Sequence, residues 1–345
     1  FVRGISSESY SGLRSNVFGP LRAKAVQGTY APASTFKMLT ALAALENGII
    51  KPDETVFCPG HLDVAGNRFH CWKKRGHGAI NLVDSIIQSC DVFFYTIGQK
   101  VGIDKISDMA RRFGIGEHHD LPLSAVSRGV APTPDWKRRS FDEAWFLGDT
   151  VNASIGQGYV LASPLQLAVM AARLGTGRAV QPRLIQNING EVMPSGGGAK
   201  LDVDPKHLDV VQKAMFGVIN TKNGTAFNKR ITTQELRMAG KTGTAQVRRI
   251  TAAERTNGVI PNEDLPWERR DHALFMNYAP HDNPKISVAV VVEHGGGGSS
   301  IAAPIARDIT LFALTGEMPD LKHYPQEQHN KIKVEQKKLA PKLID

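Results

Sequence analysis

Residues 34–37 of this 345-residue chain read Ser34-Thr35-Phe36-Lys37, a Ser-x-x-Lys tetrad that opens an alanine- and leucine-rich stretch with a helical pattern. The spacing of three residues places the serine hydroxyl and the lysine amine on one face of a helix. A helix N-terminus favours negative charge, so it would support an alkoxide on Ser34 while Lys37 takes the proton. Taken alone, however, the tetrad favours an N-cap serine followed by a solvated lysine.

Two further motifs change that interpretation. Ser89-Cys90-Asp91 lies between two helical stretches, and Lys241-Thr242-Gly243-Thr244 lies in a strand-like segment. A Ser-x-x-Lys tetrad, a Ser-x-Asn or similar triplet and a Lys-Thr-Gly triplet, in this order, are the signature of penicillin-recognising active-site serine enzymes. The chain resembles this group of enzymes.

The resemblance is to the transpeptidase domain of the class B penicillin-binding proteins, and most closely to their elongation-specific branch in Gram-negative bacteria. The supporting stretches, spread over roughly residues 1–315, are Gly28-Thr29-Tyr30, Cys71-Trp72-Lys73, Gly76-His77-Gly78, Gly148-Asp149-Thr150, Gly156-Gln157-Gly158-Tyr159, Asn223-Gly224-Thr225-Ala226, Arg270-Asp271-His272 and Tyr278-Ala279-Pro280. Asp91, where the wider family has Asn, is associated with that branch. Ala33 stands where many relatives have Gly. Two sheet strands, a membrane anchor and a pedestal domain that relatives carry are missing, which indicates a truncated piece.

The resemblance implies an α+β fold of the penicillin-binding, serine β-lactamase-like type, in which helices and an all-helical subdomain flank an antiparallel sheet. We expect an irregular lead-in over residues 1–33, a transpeptidase domain over 34–318 and a basic tail over 319–345. Within the domain, 51–235 should form a mostly helical subdomain, and 236–318 should hold the sheet and a C-terminal helix.

The hydrophobic pattern by itself also indicates helices beside a mostly antiparallel sheet. It predicts helices at 34–45, 82–99, 103–112, 164–174, 205–220 and 303–314, and strands at 238–247, 274–279 and 286–293. Residues 51–78 show no periodicity, and a loop rich in Pro, Arg and Trp is expected before residue 164.

The resemblance also implies a mechanism. Ser34 would attack the carbonyl between the last two D-alanines of a peptidoglycan stem peptide, with Lys37 as the base once its amine is desolvated and near the cation Lys241. Ser89, in the motif that Asp91 completes, would relay a proton to the leaving D-alanine. An amine from a neighbouring stem peptide would then resolve the acyl-enzyme, as in a D-alanyl-D-alanine transpeptidase or carboxypeptidase. β-Lactams would acylate Ser34 without efficient release.

Substrate binding would fall to the Lys-Thr-Gly segment. Lys241 and the hydroxyls of Thr242 and Thr244 would hold the terminal carboxylate of the stem peptide. By resemblance, the backbone N–H groups of Ser34 and Thr244 would form the oxyanion hole, and Gly243 would keep the strand open to close approach. No cofactor is expected for the chemistry itself.

Cysteine and histidine cluster in one part of the chain. Cys58, Cys71 and Cys90, the only three cysteines, lie within a single 33-residue window that also contains His77. Three thiolates and one imidazole make the closed tetrahedral shell of structural zinc. The 51–78 segment lacks a core pattern, and a metal would supply its order. We therefore expect a structural zinc that braces the motif around Cys90.

Two alternatives to this ligand set remain open at the level of sequence. Two of the cysteines could form a disulfide with one left over, since this family works outside the cytoplasm. His61 and His70 are rival ligands to His77. By resemblance, some elongation-specific relatives carry a metal site in this region with carboxylate, His and Cys ligands, which favours the metal.

The net charge of +9 is scattered along the chain, which favours a generally basic surface over nucleic-acid binding. No apolar run approaches the roughly 18 residues of a membrane span. By resemblance, we expect the protein at the periplasmic face of the bacterial inner membrane, anchored by an N-terminal segment absent from this chain. Its expected partners are stem peptides, β-lactam antibiotics and a membrane-embedded elongation complex of glycan polymerase and shape proteins.

Other functions fit the motifs less well. A serine β-lactamase would need a glutamate or a carboxylated lysine to activate the deacylating water, and no recognisable loop supplies one. A non-catalytic β-lactam sensor resembles a branch that lacks the 156–159 and 270–272 stretches. A zinc hydrolase is disfavoured because a shell of three thiolates and an imidazole leaves no open position for water.

Overall fold

The Ser-x-x-Lys motif leads into a deeply buried helix. In the computed structural model, which describes residues 4–193, 197–251, 253–254 and 258–339, Ala33–Phe36 forms a 3-10 turn and Lys37–Glu46 the following α-helix. Residues 37–45 of this helix are all buried, because its run of Leu, Ala and Met leaves no polar face for solvent. The predicted helix at 34–45 is thus confirmed, with a tighter first turn.

The remaining elements surround this helix and a small sheet. The helices are α1 (Ser7–Ser15), α2 (Lys24–Gln27), α3 (Lys37–Glu46), α4 (Leu82–Ile87), α5 (Asp91–Val101), α6 (Ile103–Arg112), α7 (Pro134–Phe141), α8 (Leu147–Ser154), α9 (Pro164–Thr176), α10 (Pro205–Asn220), α11 (Ala303–Thr315) and α12 (His329–Leu339). The strands are β1 (Val56–Cys58), β2 (His61–Val64), β3 (Asn67–His70), β4 (Gly78–Ile80), β5 (Asn187–Ile188), β6 (Glu191–Val192), β7 (Ala239–Ala245), β8 (His272–Ala279) and β9 (Ile286–Val292).

The main sheet in the described residues is antiparallel, with the order β7-β8-β9. Gly243 pairs with Leu274 in β8, and Leu274 pairs with Val291 in β9. The central strand β8 is buried along nearly its whole length, whereas β9 is half-buried. Helices α9 and α11 pack against β8 and β9, and α10 packs against β7. The predicted strands and the α+β fold class are confirmed.

The helical part packs around α3, which contacts α5 and α6. The helices predicted at 103–112, 164–174, 205–220 and 303–314 are confirmed with shifts of at most two residues. The helix predicted at 82–99 is interrupted instead, because Ser89 adopts a left-handed conformation with φ of 57° between α4 and α5. The interruption places the Ser89-Cys90-Asp91 motif at a helix junction.

The lead-in and the tail are more ordered than expected. Irregular structure over 1–33 is wrong for α1 and α2, although residues 1–3 lie outside the description. The 319–345 segment is more than a basic tail, because it forms α12 up to Leu339 and buries Ile332 and Tyr324. The Arg307 guanidinium lies 4.5 Å from the centre of the Tyr324 ring, which holds the segment to α11. Residues 340–345 lie outside the described part of the chain.

Two regions expected to lack regular structure contain short elements. Residues 51–78 form two small antiparallel sheets, β1 with β4 and β2 with β3. The loop expected before residue 164 contains α7 and α8. The described part of the 51–235 region, expected to be mostly helical, therefore combines its helices with small antiparallel hairpins. Among the described residues, none of the helices combines the length and the apolar character that a membrane crossing requires.

Candidate active site

The position of Ser34 is fixed by a contact between two strained turns. Ala33, the residue before it, has φ of 49°, and its N–H donates to the Gly156 carbonyl at 2.8 Å. Gly156 itself has φ of 71°, and a Cβ there would lie 2.4 Å from the Ala33 carbonyl oxygen. Only glycine therefore fits at position 156, and the contact holds the turn that presents Ser34.

Lys37 reaches from α3 to the helix junction that carries the second motif. Its side chain is fully buried, and its Nζ donates to Asp91 Oδ1 at 2.6 Å and to the Ser89 carbonyl at 3.0 Å. The same Nζ lies 3.3 Å from Ser89 Oγ. The structure thus brings the first and second predicted motifs into direct contact.

Lys241 approaches Ser89 from the opposite side. Its Nζ donates to Ser89 Oγ at 2.9 Å, so this hydroxyl lies between the amines of Lys241 and Lys37. Burial lowers the pKa of Lys241 well below its usual value, and the charge of Lys37 lowers it further, against a weaker opposite effect of Asp91. Lys241 therefore loses its proton more readily than an ordinary lysine.

This charge distribution differs from the one expected from the sequence. There, Lys37 was the desolvated amine and Lys241 the neighbouring cation. In the structure Lys37 has the carboxylate partner Asp91, whereas Lys241 has no carboxylate within ion-pair distance among the described residues. The Ser89 hydroxyl is positioned to exchange protons between the two amines.

The Lys-Thr-Gly segment lies in β7, directly against the turn that carries the nucleophile. A Cβ on Gly243 would lie 3.1 Å from the Pro32 carbonyl oxygen and from Thr35 Cγ2, so the strand and the turn are in close contact. Thr244 is exposed, and its Oγ1 accepts from the Gly298 N–H at 3.3 Å. All eight predicted catalytic and substrate-binding residues therefore lie in four adjoining segments: the 33–36 turn, α3, the junction of α4 and α5, and β7.

The four predicted metal ligands also come together. The Sγ atoms of Cys58, Cys71 and Cys90 and a ring nitrogen of His77 lie within 4.8 Å of one another. His77 Nδ1 is 3.6 Å from the sulfurs of Cys58 and Cys71. The three cysteines are free, and all three are buried. Neither His61 nor His70 belongs to this group, which favours His77 over its rivals.

The donor set suits a tetrahedral metal site. A hydrogen bond from Cys90 lowers the pKa of Cys71 to about 2, whereas burial raises the pKa of Cys58. Three soft sulfurs plus an imidazole match the ligand preference of Zn²⁺. The Asp91 N–H donates to Cys71 Sγ at 3.4 Å, so the cluster adjoins the second catalytic motif.

Three contacts at the site were not assigned from sequence. Trp72, whose side chain is 60 % exposed, donates from Nε1 to the Ser89 carbonyl at 3.0 Å. Thr225 Oγ1 lies 2.8 Å from Thr242 Oγ1. Gly298 contacts β7 as described above. Trp72 and Thr225 lie in stretches that carry the family resemblance, and Gly298 lies in a run of four glycines, but none of these patterns indicates a contact partner.

A comparison with known protein families identifies the family of this chain. A model of the penicillin binding protein transpeptidase domain matches residues 5–311. The chain belongs to this family. The resemblance drawn from the motifs is thereby confirmed, as is the penicillin-binding fold class.

Similar proteins point to one branch of the family. The chain is 38% identical to the peptidoglycan D,D-transpeptidase MrdA of Haemophilus influenzae, over 98% of this chain and 53% of that protein. It is 36% identical to the protein of the same name from Escherichia coli K12, over 92% of this chain and 50% of that protein. The chain thus spans about half the length of these curated relatives.

Solved structures give the same result. Pseudomonas aeruginosa PBP2 superposes with a TM-score of 0.79 at 33% identity, over 94% of this chain and 67% of that one. Helicobacter pylori PBP2, solved in complex with MreC, superposes with a TM-score of 0.78 at 31% identity, over 91% of this chain and 55% of that one. The expected similarity to elongation-type members is confirmed.

Proposed function

We propose that this chain is the catalytic part of a peptidoglycan D,D-transpeptidase, in which Ser34 is acylated by a stem peptide ending in D-alanyl-D-alanine. The observation that carries the proposal is the Ser89 hydroxyl between the amines of Lys37 and Lys241, beside the turn that presents Ser34. A structural lysine pair would have no reason to share one hydroxyl in a buried site, because two buried amines repel each other.

The charges suggest how the base is generated. Lys241 has the lowered pKa, so it is the amine that is more easily neutral. Lys37 can pass a proton to Ser89 Oγ while Ser89 passes its own proton to Lys241. The exchange leaves a neutral Lys37 near the nucleophile and a cationic Lys241 on the strand, which is the arrangement that attack and carboxylate binding require.

The reaction then has two steps. Ser34 Oγ loses its proton to Lys37 and attacks the carbonyl carbon, the amide C–N bond breaks, and the leaving D-alanine amine receives a proton through Ser89. An acceptor amine next attacks the ester carbonyl and gives up a proton to Lys37, the ester C–O bond breaks, and Ser34 Oγ takes a proton back from Lys37. Lys241, Thr242 and Thr244 hold the terminal carboxylate, and the N–H groups of Ser34 and Thr244 stabilise the oxyanion.

Acylation tests this proposal directly. Incubation with a labelled penicillin, followed by mass spectrometry, should show one adduct on the wild type that lasts many minutes, and none on Ser34→Ala. An absent adduct, or one that survives the substitution, would overturn the assignment of Ser34. Rapid loss of the label would identify a β-lactamase, and a stable adduct without transfer of a D-alanyl-D-alanine donor would identify a sensor.

We further propose a structural Zn²⁺ bound by Cys58, Cys71, His77 and Cys90. The metal would take no part in the acyl transfer and would hold the 58–77 segment against the Ser89-Cys90-Asp91 junction. Elemental analysis should find about one zinc per chain, and removal by a chelator should slow acylation of Ser34. Protein free of zinc that yields a titratable disulfide would exclude this site.

The cellular setting is also proposed from the relatives. We expect the full-length protein to act at the periplasmic face of the inner membrane, held by an N-terminal anchor, and to bind stem peptides and β-lactams but no nucleic acid. One similar structure shows PBP2 with MreC, and another is a peptidoglycan synthase complex of polymerization and crosslinking. These support an elongation complex of polymerase and shape proteins as the partner, which co-purification of the full-length protein would test.

A further inference from the structure

A cavity opens beside the Lys-Thr-Gly strand β7. Its volume is about 280 Å³, and it lies between the 222–229 loop and the start of the turn before α11. The polar residues that line it are Lys222, Thr225, Asn228, Lys229, Ser299 and Ser300. We call it the Lys222–Lys229 pocket.

The pocket is cationic. No acidic residue lines it, and neither Lys222 nor Lys229 has an ion-pair partner within the part of the chain that the structure describes. Burial and the nearby charges of Arg307 and Lys331 lower the pKa of Lys229, against a weaker opposite effect of Glu335. The two lysines that line the pocket thus have no acidic partner among the described residues, which favours an anion in the pocket.

The pocket shares a wall with the site that binds the substrate carboxylate. Thr225 Oγ1 lies 2.8 Å from Thr242 Oγ1, and the Ser299 hydroxyl donates to the Thr225 carbonyl at 2.5 Å. The wall is rigid, because a Cβ on Gly224 would lie 2.3 Å from the Val218 carbonyl oxygen. The Lys222–Lys229 pocket therefore adjoins Thr242 through Thr225.

The second step of the proposed reaction, attack of the acceptor amine on the acyl-enzyme, indicates which ligand enters the Lys222–Lys229 pocket. Aminolysis of the acyl-enzyme is the reverse of its formation, so the acceptor amine takes the place that the leaving D-alanine vacates. The carboxylate of that D-alanine is the group held at Thr242, and the donor peptide has no atoms beyond it. Whatever enters the Lys222–Lys229 pocket during turnover belongs to the acceptor.

We propose that the Lys222–Lys229 pocket is an acceptor subsite, which binds a second carboxylate of an amine acceptor whose first carboxylate lies at Thr242. The inference rests on the proposed transpeptidase function. It defines the acceptor as an amino-acid-type amine with two carboxylates and assigns its recognition to Lys222 and Lys229.

A matched pair of acceptors tests the subsite. The protein is acylated with a D-alanyl thioester donor, and the acyl-enzyme is partitioned between D-glutamate and D-glutamine, which differ in one charge at nearly equal shape. The wild type should transfer to D-glutamate on the order of tenfold more efficiently, as expected for a charge-assisted contact. Because both acceptors compete for one acyl-enzyme, the ratio is independent of the acylation rate.

Substitutions of the two lysines test whether the preference for D-glutamate arises in the pocket. Lys222→Gln with Lys229→Gln should bring the ratio close to one, and each single change should lower it part of the way. Lys213→Gln is the control, because Lys213 is an exposed lysine paired with Asp209 on α10, away from the pocket. Its ratio should equal that of the wild type, which separates local binding from a general loss of positive charge.

The outcomes distinguish a failure of the proposed transpeptidase function from a failure of the proposed subsite. Failure of the thioester to acylate Ser34 would overturn the proposed function itself. Acylation and transfer with no preference for D-glutamate, or a preference that persists in the double variant, would overturn the subsite alone. An equal loss of preference in Lys213→Gln would show general electrostatic attraction and likewise overturn it.

Discussion

Gly298 offers a sharp test of how the active-site strand is held. A Cβ at this position would lie 2.2 Å from the Gly243 carbonyl oxygen and 2.3 Å from the Leu274 carbonyl oxygen. Carbon and oxygen in contact are normally about 3.3 Å apart. Gly298→Ala therefore forces a displacement of about 1 Å between the 298–302 turn and the strands β7 and β8.

The expected cost follows from that displacement. Overpacking of this kind destabilises by roughly 1–3 kcal/mol. The larger effect should be on chemistry, because β7 carries Thr244, whose Oγ1 accepts from the Gly298 N–H. A 1 Å misplacement of reacting groups costs on the order of 10²-fold in rate. Acylation of Ser34 by a chromogenic β-lactam should therefore slow by about two orders of magnitude.

Gly12→Ala is the matched control. Nothing lies within 4 Å of a Cβ at Gly12, which sits in the exposed helix α1. Alanine is favoured over glycine there by roughly 0.5–1 kcal/mol, so this variant should be slightly more stable and acylate at the wild-type rate. If Gly298→Ala is acylated at the wild-type rate, the turn moves without affecting β7, and the predicted displacement of that strand is refuted.

Two further predictions concern strain and charge at the site. Ala33→Gly should change the free energy of unfolding by less than about 1 kcal/mol, because relief of the left-handed conformation (about 1–2 kcal/mol) offsets the lost methyl and the added chain entropy. Ala44→Gly, at a fully buried position within α3, lacks that relief and should lower the free energy of unfolding by about 2 kcal/mol. Urea titrations of both variants measure the two changes, and equal losses of stability would refute the strain at Ala33. Lys241 has a lowered pKa in the folded state, so the unfolded chain binds more protons and stability should rise with pH up to about 10.4, with a slope of at most about 1.4 kcal/mol per pH unit. Lys241→Met should lose this slope in urea titrations at several pH values, and a difference from the wild type that does not vary with pH would contradict the shift.

The sequence predicts well which residues come together, because each motif is a local pattern. Ser34 and Lys37 need only helical spacing, and the order of the three motifs supplies the rest. The four proposed metal ligands are indicated by their residue types within one window, even though the spacing is not a Cys-x-x-Cys knuckle. Which lysine has the carboxylate partner could not be predicted, because it depends on burial and on the position of Asp91 after folding.

The helices that the sequence did not predict were missed for different physical reasons. Helix α1 buries no side chain, so it leaves no hydrophobic pattern to detect. Helix α12 buries only Ile332, and its lysines favour the interpretation as a tail. Helix α7 did carry a signal, since Thr133 caps it by accepting from the Trp136 N–H, and Pro134 follows at the first helical position.

The interruption at Ser89 is a different case, because the apolar pattern continues through it. Ser89 and Ala33 are both non-glycine residues with positive φ; Ala33 precedes the proposed nucleophile, and Ser89 is the proposed relay. Such conformations cost on the order of 1–3 kcal/mol and persist only where the surroundings impose them. At Ala33 the contact is the hydrogen bond from its N–H to the Gly156 carbonyl. At Ser89 it is the end of α4, where the N–H groups of Ser89 and Cys90 donate to the carbonyls of Ile86 and Ser85. At these two positions local propensity yields to the contacts that hold the proposed nucleophile and its proposed relay in place.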